Sequence, residues 1–345
     1  MCRILLPLRR MKALAIRLFQ SMRADSRPLW LRIVQLLISI CVLGFVYVRL
    51  SQEDWQSWQT HLPQSGSALA FIAFCLCLAP LNLGLETRKW QLLIQPYYPQ
   101  IGFRQLFKAV LAGMASGIFT PNRIGEYAGR IMSLPKGFRL EAGTHTLVNR
   151  LLQMYATVLF GSLSWWGLWW NETDRLREIF PFSVVLVDGI SIFLGLVCGL
   201  CLLVLWRPQA SLLLLRVDRL PWRFAQRVAE ALLAIDAPAL RRAQLLAILR
   251  YTVFSGQYLL LLFAFGYEGN ISLILGLIAL CFLIKSLLPS IALTELGVRE
   301  SVALWLMGAF GIGAFNIVSS TFLLYVCNLM LPSLLGLFYI YRIRA

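Results

Sequence analysis

Residues 105–134 read QLFKAVLAGMASGIFTPNRIGEYAGRIMSL, and the break at Phe119-Thr120-Pro121 decides how this chain is built. The run is apolar enough for lipid but divides into two pieces of about 15 residues. Each piece is about 22 Å long as helix. A span needs about 20 apolar residues, so neither piece crosses comfortably. The expected shape is a hairpin that dips into the membrane from the cytoplasm and returns. Its turn is non-helical backbone, which is tolerated at that depth only inside protein or against a wet cavity.

The rest of the chain supports a membrane reading. Of 345 residues, 59% are hydrophobic and only 14% charged. A soluble domain of that length cannot hide so much apolar surface. Full spans are expected at 32–50, 67–85, 146–170, 182–206, 247–266 and 317–341. A second interrupted stretch, 271–314, breaks at Pro289 and resumes as helix near Thr294. The order is span, span, hairpin, span, and then the same again from the opposite side. That is an all-α integral membrane fold with about six full spans and two re-entrant or broken hairpins in an inverted-topology repeat. Scored differently, the hairpins bring the count to eight.

Four segments make up one membrane domain. Residues 1–31 form a basic amphipathic segment, and 32–206 the first repeat with the start of the second. Residues 207–246 form a basic connector, and 247–345 the remainder. Met11, Leu14, Leu18 and Met22 fall on one face of the first segment among seven Arg and Lys residues before position 30. It is expected to lie on the inner membrane surface rather than to be a cleaved leader.

Orientation follows from basic residues. There are eight Lys and Arg in 1–32, four in 86–108 and eight in 207–250. The alternate loops 51–66 and 267–270 have none. Both termini are therefore expected in the cytoplasm, in the inner membrane. Arg216, Arg219, Arg223 and Arg227 of the connector suit anionic headgroups. Trp165, Trp166, Trp169 and Trp170 mark the outer interface. The net charge of +16 is absorbed by this topology, which excludes nucleic acid as the partner. Membrane phospholipids are the expected partners, with a lipid-modifying enzyme as a further one.

Ionisable residues inside a membrane mark function by default. In the first hairpin Thr120 can cap a new helix with Pro121 in its first turn. Arg123 lies at the positive end of that helix, and Glu126 and Arg130 are four apart in the favourable order. An anionic phosphate accepted there makes physical sense. The second hairpin repeats the build, with Thr294 as cap, Glu295 and Arg299 four apart, and Glu300 as a second acid. Lys285 precedes the break. Arg123, Glu126, Arg130, Glu295, Arg299 and Glu300 are thus candidate headgroup contacts. Thr120, Asn122, Asn149, Arg150 and Thr294 are candidate cavity lining. The competing reading makes both motifs structural salt bridges. Gln153 and Asp188 are lesser candidates, and Asn328 reads as helix–helix glue.

Eight cysteines occur, and Cys198-x-x-Cys201 has no second ligand pair, so no metal site is expected. No cofactor and no catalytic motif is expected either.

The run Pro121-Asn122-Arg123-Ile124-Gly125-Glu126, followed by Arg130, resembles a signature of the transmembrane region of lysylphosphatidylglycerol synthases. The run Gly297-Val298-Arg299-Glu300 resembles that family's second signature. The resemblance implies a flippase-like membrane region, here without the soluble aminoacyl-transferase part. Two departures stand out. Asn149 and Gln153 are neutral where many members carry acids around the arginine at Arg150. Thr294 and Glu295 replace paired glycines. The function this implies is a lipid translocator that is not an enzyme. The alternatives are an accessory subunit of a lipid-modifying enzyme and an integral-membrane transferase.

Overall fold

The computed structural model describes residues 65–118, 120, 123–135, 139–180, 235–288 and 295–344, with further helical positions at 189, 192–197, 199 and 226. The expected spans 32–50 and 182–206, the segment 1–31, Asp188, Cys198, Cys201 and the four connector arginines fall wholly or mainly outside these residues.

Helix α1, Gly66–Ile94, starts where Ser65 Oγ accepts from the Ala68 amide at 3.2 Å. Its first two-thirds are apolar on all sides, as a lipid-facing helix must be. Pro80 lies inside it. Its ring leaves the Leu76 carbonyl without an amide partner, and Gln257 donates to the neighbouring Cys75 carbonyl at 2.9 Å. The helix does not stop near residue 85, where the apolar run ends. It continues to Ile94 and carries Glu86, Lys89 and Trp90 with it. Burial against other helices, rather than lipid, holds these last turns. Lys89 and Trp90 are fully inaccessible.

α2, Phe103–Ile118, and α3, Ile124–Met132, form the first hairpin. α3 has only nine residues, about 13 Å of helix, and is shorter than the sequence suggested. The two helices nest because α3 presents Gly125 and Gly129 one turn apart. A Cβ at Gly129 would meet the Ala112 carbonyl at 2.7 Å. This is small-residue packing of the kind that lets membrane helices approach closely.

α4, Arg139–Asn171, begins seven residues before the expected span. α5, Thr173–Ile179, is a short turn of helix after it. α6, Ala237–Ala264, likewise starts ten residues early, with Pro238 in its first turn. α7, Ile271–Leu287, is capped by Asn270, whose Oδ1 accepts from the Ser272 amide at 2.8 Å. α8, Glu295–Ala309, completes the second hairpin. α9, Ala314–Tyr325, runs through a π-helical turn, Val326–Met330, into α10, Leu331–Arg344. Pro332 explains the wide turn. It has no amide to donate to the Asn328 carbonyl four residues back, and its ring needs room there.

Among the described residues, three helical segments are long and apolar enough to cross a membrane: Gly66–Ile94, Ala237–Ala264 and Ala314–Ile340. The chain is a multi-pass membrane protein. At its centre α1 packs along α6. α2 packs against α10, and α7 packs against α4, so each hairpin leans on a helix from the other half of the chain. Leu261, Leu277, Ile278, Leu306 and Ile317 form the main core between α6, α7, α8 and α9. A second core joins Trp90, Leu106, Val110, Met114 and Leu329 beneath the first hairpin.

Candidate functional site

A cavity of about 290 Å³ opens between the two hairpins and the central helices. Its charged wall is built on Glu86. One carboxylate oxygen, Oε1, accepts from Arg130 Nη2 at 2.8 Å and from Asn149 Nδ2 at 2.7 Å. The other, Oε2, lies 3.0 Å from Lys89 Nζ and 3.5 Å from Arg250 Nε. Four helices, α1, α3, α4 and α6, therefore meet at one side chain that is only 7% exposed.

Arg130 extends the network by donating to Glu126 Oε1 at 2.5 Å, and Arg123 Nε lies 3.5 Å from Glu126 Oε2. Gln153 Oε1 accepts from Lys89 Nζ at 3.1 Å and from Arg250 Nη1 at 3.0 Å. The Arg130 guanidinium also lies 5.4 Å over the Trp90 ring. Trp90 is fixed in turn by donating to Thr146 Oγ1 at 3.1 Å. Glycines give Arg130 its place. A Cβ at Gly113 would fall 2.6 Å from its Cγ.

Position 123 has a backbone strain of its own. Arg123 adopts φ 56, the left-handed region, directly before α3. A non-glycine residue held there costs about 1–3 kcal/mol, and such strain gathers at ligand-binding turns. Thr120 is not the N-cap by position, since Arg123 occupies that place. Its Oγ1 still accepts an amide of the first turn, that of Gly125, at 2.7 Å.

Aromatic side chains from the second half of the chain also line the cavity. Tyr251 and Phe254 of α6 and Phe282 of α7 line it, with Tyr251 stacked on Phe160 at 4.6 Å. Lys285 and Arg299 reach the cavity from α7 and α8, and Arg299 lies 5.7 Å over the Phe254 ring. Near the central seam, Asn82 Nδ2 donates to Asn328 Oδ1 at 2.9 Å. Asn328 thus joins helices as expected, but it also lines the cavity from within the π turn.

Of the residues singled out in the sequence, Arg123, Glu126, Arg130, Asn149, Arg150, Gln153, Lys285, Arg299 and Asn328 line this cavity, and Thr120 does not. Arg150 is exposed at its rim, 5.7 Å over the Tyr127 ring. Glu300 is on α8 at 8% exposure and does not line it. Asn122 and Thr294 lie outside the described residues, and so does the side chain of Glu295.

Sequence reading missed Glu86, Lys89 and Arg250, the centre of the network. It assigned them to loops because the apolar runs end beside them. Two signals were available. Asn82, Glu86 and Lys89 recur at helical spacing on one face of an extended α1, and Asn149, Gln153 and Thr157 do so on α4.

A family model for the transmembrane region of lysylphosphatidylglycerol synthases matches residues 32–336. Comparison with curated proteins found no match.

Proposed function

Because this chain belongs to the family of the lysylphosphatidylglycerol synthase transmembrane region, whose work concerns membrane lipids, we propose that it is a lipid translocator. The cavity takes a phospholipid or lipid-linked headgroup while the acyl chains stay in lipid. The chain works as a carrier, without catalysis, in the cytoplasmic membrane with both termini inside. The single observation that carries this reading is the cavity between the hairpins with its buried charges, set among helices that expose large apolar side chains. A buried ion network is weak evidence for stability, since replacing it by packed apolar groups is often neutral or better. Its retention at a cavity wall favours a headgroup path.

The hairpins are re-entrant in this reading. α3, at nine residues, is too short to cross. The contact pattern favours an inverted repeat: α2 against α10 is matched by α7 against α4, with α1 and α6 pairing at the centre. Transporters place their sites at such repeat interfaces, at the ends of broken helices.

The test is reconstitution of purified protein into liposomes with headgroup-labelled phospholipids and an impermeant quencher outside. Wild type should accelerate loss of the protected signal, and Arg123→Ala and Glu126→Ala should not. No acceleration by wild type over a broad lipid panel would refute the reading.

A further inference from the structure

The charge of the cavity identifies its cargo more closely than the fold does. Five cationic side chains, Lys89, Arg123, Arg130, Arg150 and Arg250, line the side built by α1, α3, α4 and α6. Lys285 and Arg299 line it as well, and among the described residues two carboxylates do, Glu86 and Glu126. Among the described lining residues the cations are in excess by five. Setting Glu295 and Glu300 of α8 against them as well still leaves an excess of three.

Both lining carboxylates are also committed. Glu86 is held by Arg130, Lys89 and Arg250, and Glu126 by Arg130 and Arg123. A cationic headgroup entering this space would meet like charge and, among the described residues, find no lining carboxylate to itself. An anion finds the reverse. Arg130 is 1% exposed, and among the described residues nothing accepts from its Nε or Nη1. Both donors are covered, so an acceptor arriving from the cavity reaches them as the guanidinium turns out of its pairs with Glu86 and Glu126. Phosphate oxygens suit that fork geometry best.

We propose that the cavity selects a headgroup carrying more than one negative charge, a phosphomonoester or diphosphate with no compensating ammonium. This inference deepens the translocator reading and rests on it. One negative charge balances only part of the excess, whereas a phosphomonoester carries about −1.5 to −2 at neutral pH. The cavity of about 290 Å³ is at the small end for ligand sites, which fits a compact headgroup. The committed state of Glu86 and Glu126 also gives them a role. They hold the arginines in place until phosphate competes for them.

The experiment titrates the purified full chain in neutral detergent with four short-chain or soluble probes. These are dioctanoyl phosphatidic acid, dioctanoyl phosphatidylcholine, a lysyl ester of dioctanoyl phosphatidylglycerol, and glycerol 3-phosphate. Phosphatidic acid should bind about tenfold or more tightly than the phosphatidylcholine and the lysyl ester, the scale of one charge-assisted hydrogen bond. Arg150→Gln, at the exposed rim, should keep the wild-type melting temperature, reduce that affinity and flatten its salt dependence. Equal affinities, or preference for the lysyl ester, overturn the proposal. Glycerol 3-phosphate binding as tightly as the lipid keeps the phosphomonoester assignment and makes its source a soluble compound. Selective binding of phosphatidic acid without its movement in liposomes would sink the translocator reading and leave the charge assignment standing. Movement of a cationic lipid would do the opposite.

Discussion

Arg130 on the short helix α3 donates at 2.8 Å to Glu86, forty-four residues earlier on α1, while holding Glu126 one turn before it. The short helix α3 is thereby locked to a long helix by charge rather than by apolar area, which a nine-residue helix has little of to offer.

Glu86→Gln should destabilise the fold. It leaves Arg130, Lys89 and Arg250 crowded around a neutral amide, and breaking a buried network this way costs about 3–5 kcal/mol. The melting temperature in detergent should fall clearly. Adding Lys89→Met should restore part of the loss, because the second change removes a cation that Glu86 had neutralised. Additive losses in the double variant would count against the network.

Gly129→Ala should separate the hairpin helices. Its Cβ would meet the Ala112 carbonyl and the Ser116 Oγ, both at 2.7 Å, and a carbonyl cannot rotate away. Overpacking of this sort costs about 1–3 kcal/mol. Gly84→Ala is the control, because nothing lies within 4 Å of its Cβ position on α1. Its melting temperature should stay level or rise, since alanine favours helix by up to about 1 kcal/mol. Equal behaviour of the two variants would refute the packing argument.

Arg123→Gly separates structure from transport. Glycine suits the left-handed backbone at φ 56, so folding should be retained or improved. The charge that pairs with Glu126 is lost. Normal melting with abolished headgroup movement is expected in the liposome assay. Wild-type movement would remove Arg123 from the path.

The Asn82–Asn328 bond at 2.9 Å ties α1 to the π turn. Interhelical bonds of this kind contribute about 0.6 kcal/mol on average within membranes. A double-mutant cycle with Asn82→Leu and Asn328→Leu should therefore give a small positive coupling in melting experiments. Zero coupling would mean that Pro332 alone sets the π turn.

Orientation can be read from single cysteines placed in a background whose native cysteines are replaced. Gln100→Cys, in the exposed loop before α2, should react with an impermeant thiol reagent only from the cytoplasmic face. Glu268→Cys, in the exposed loop before α7, should react only from the other face. Labelling of both from one side would overturn the assigned topology.

Hydrophobic runs and basic loops were enough to read a multi-pass helical protein, the break in each hairpin, and the paired Glu126 and Arg130. Those features are local: a run of apolar residues must meet lipid, a proline interrupts a helix, and residues four apart share a face. The helices run past the expected span ends at residues 85, 146 and 247 for a physical reason. Apolar runs report contact with lipid, whereas α1, α4 and α6 continue past those points because protein covers them. Glu86 and Arg250 were invisible as a pair for the same reason. Each reads as an ordinary charge beside a membrane boundary, and nothing in the chain's order says that they approach to 3.5 Å. The order of residues alone was enough to make the chain a helical, multi-pass membrane protein and to put charged residue types next to its apolar runs. Only the packing of α1 along α6, with α3 held between α2 and α4, decided that one carboxylate would gather three cations. A buried charge can be kept only where opposite charge and hydrogen bonds from other helices surround it, and that is a property of the assembled fold.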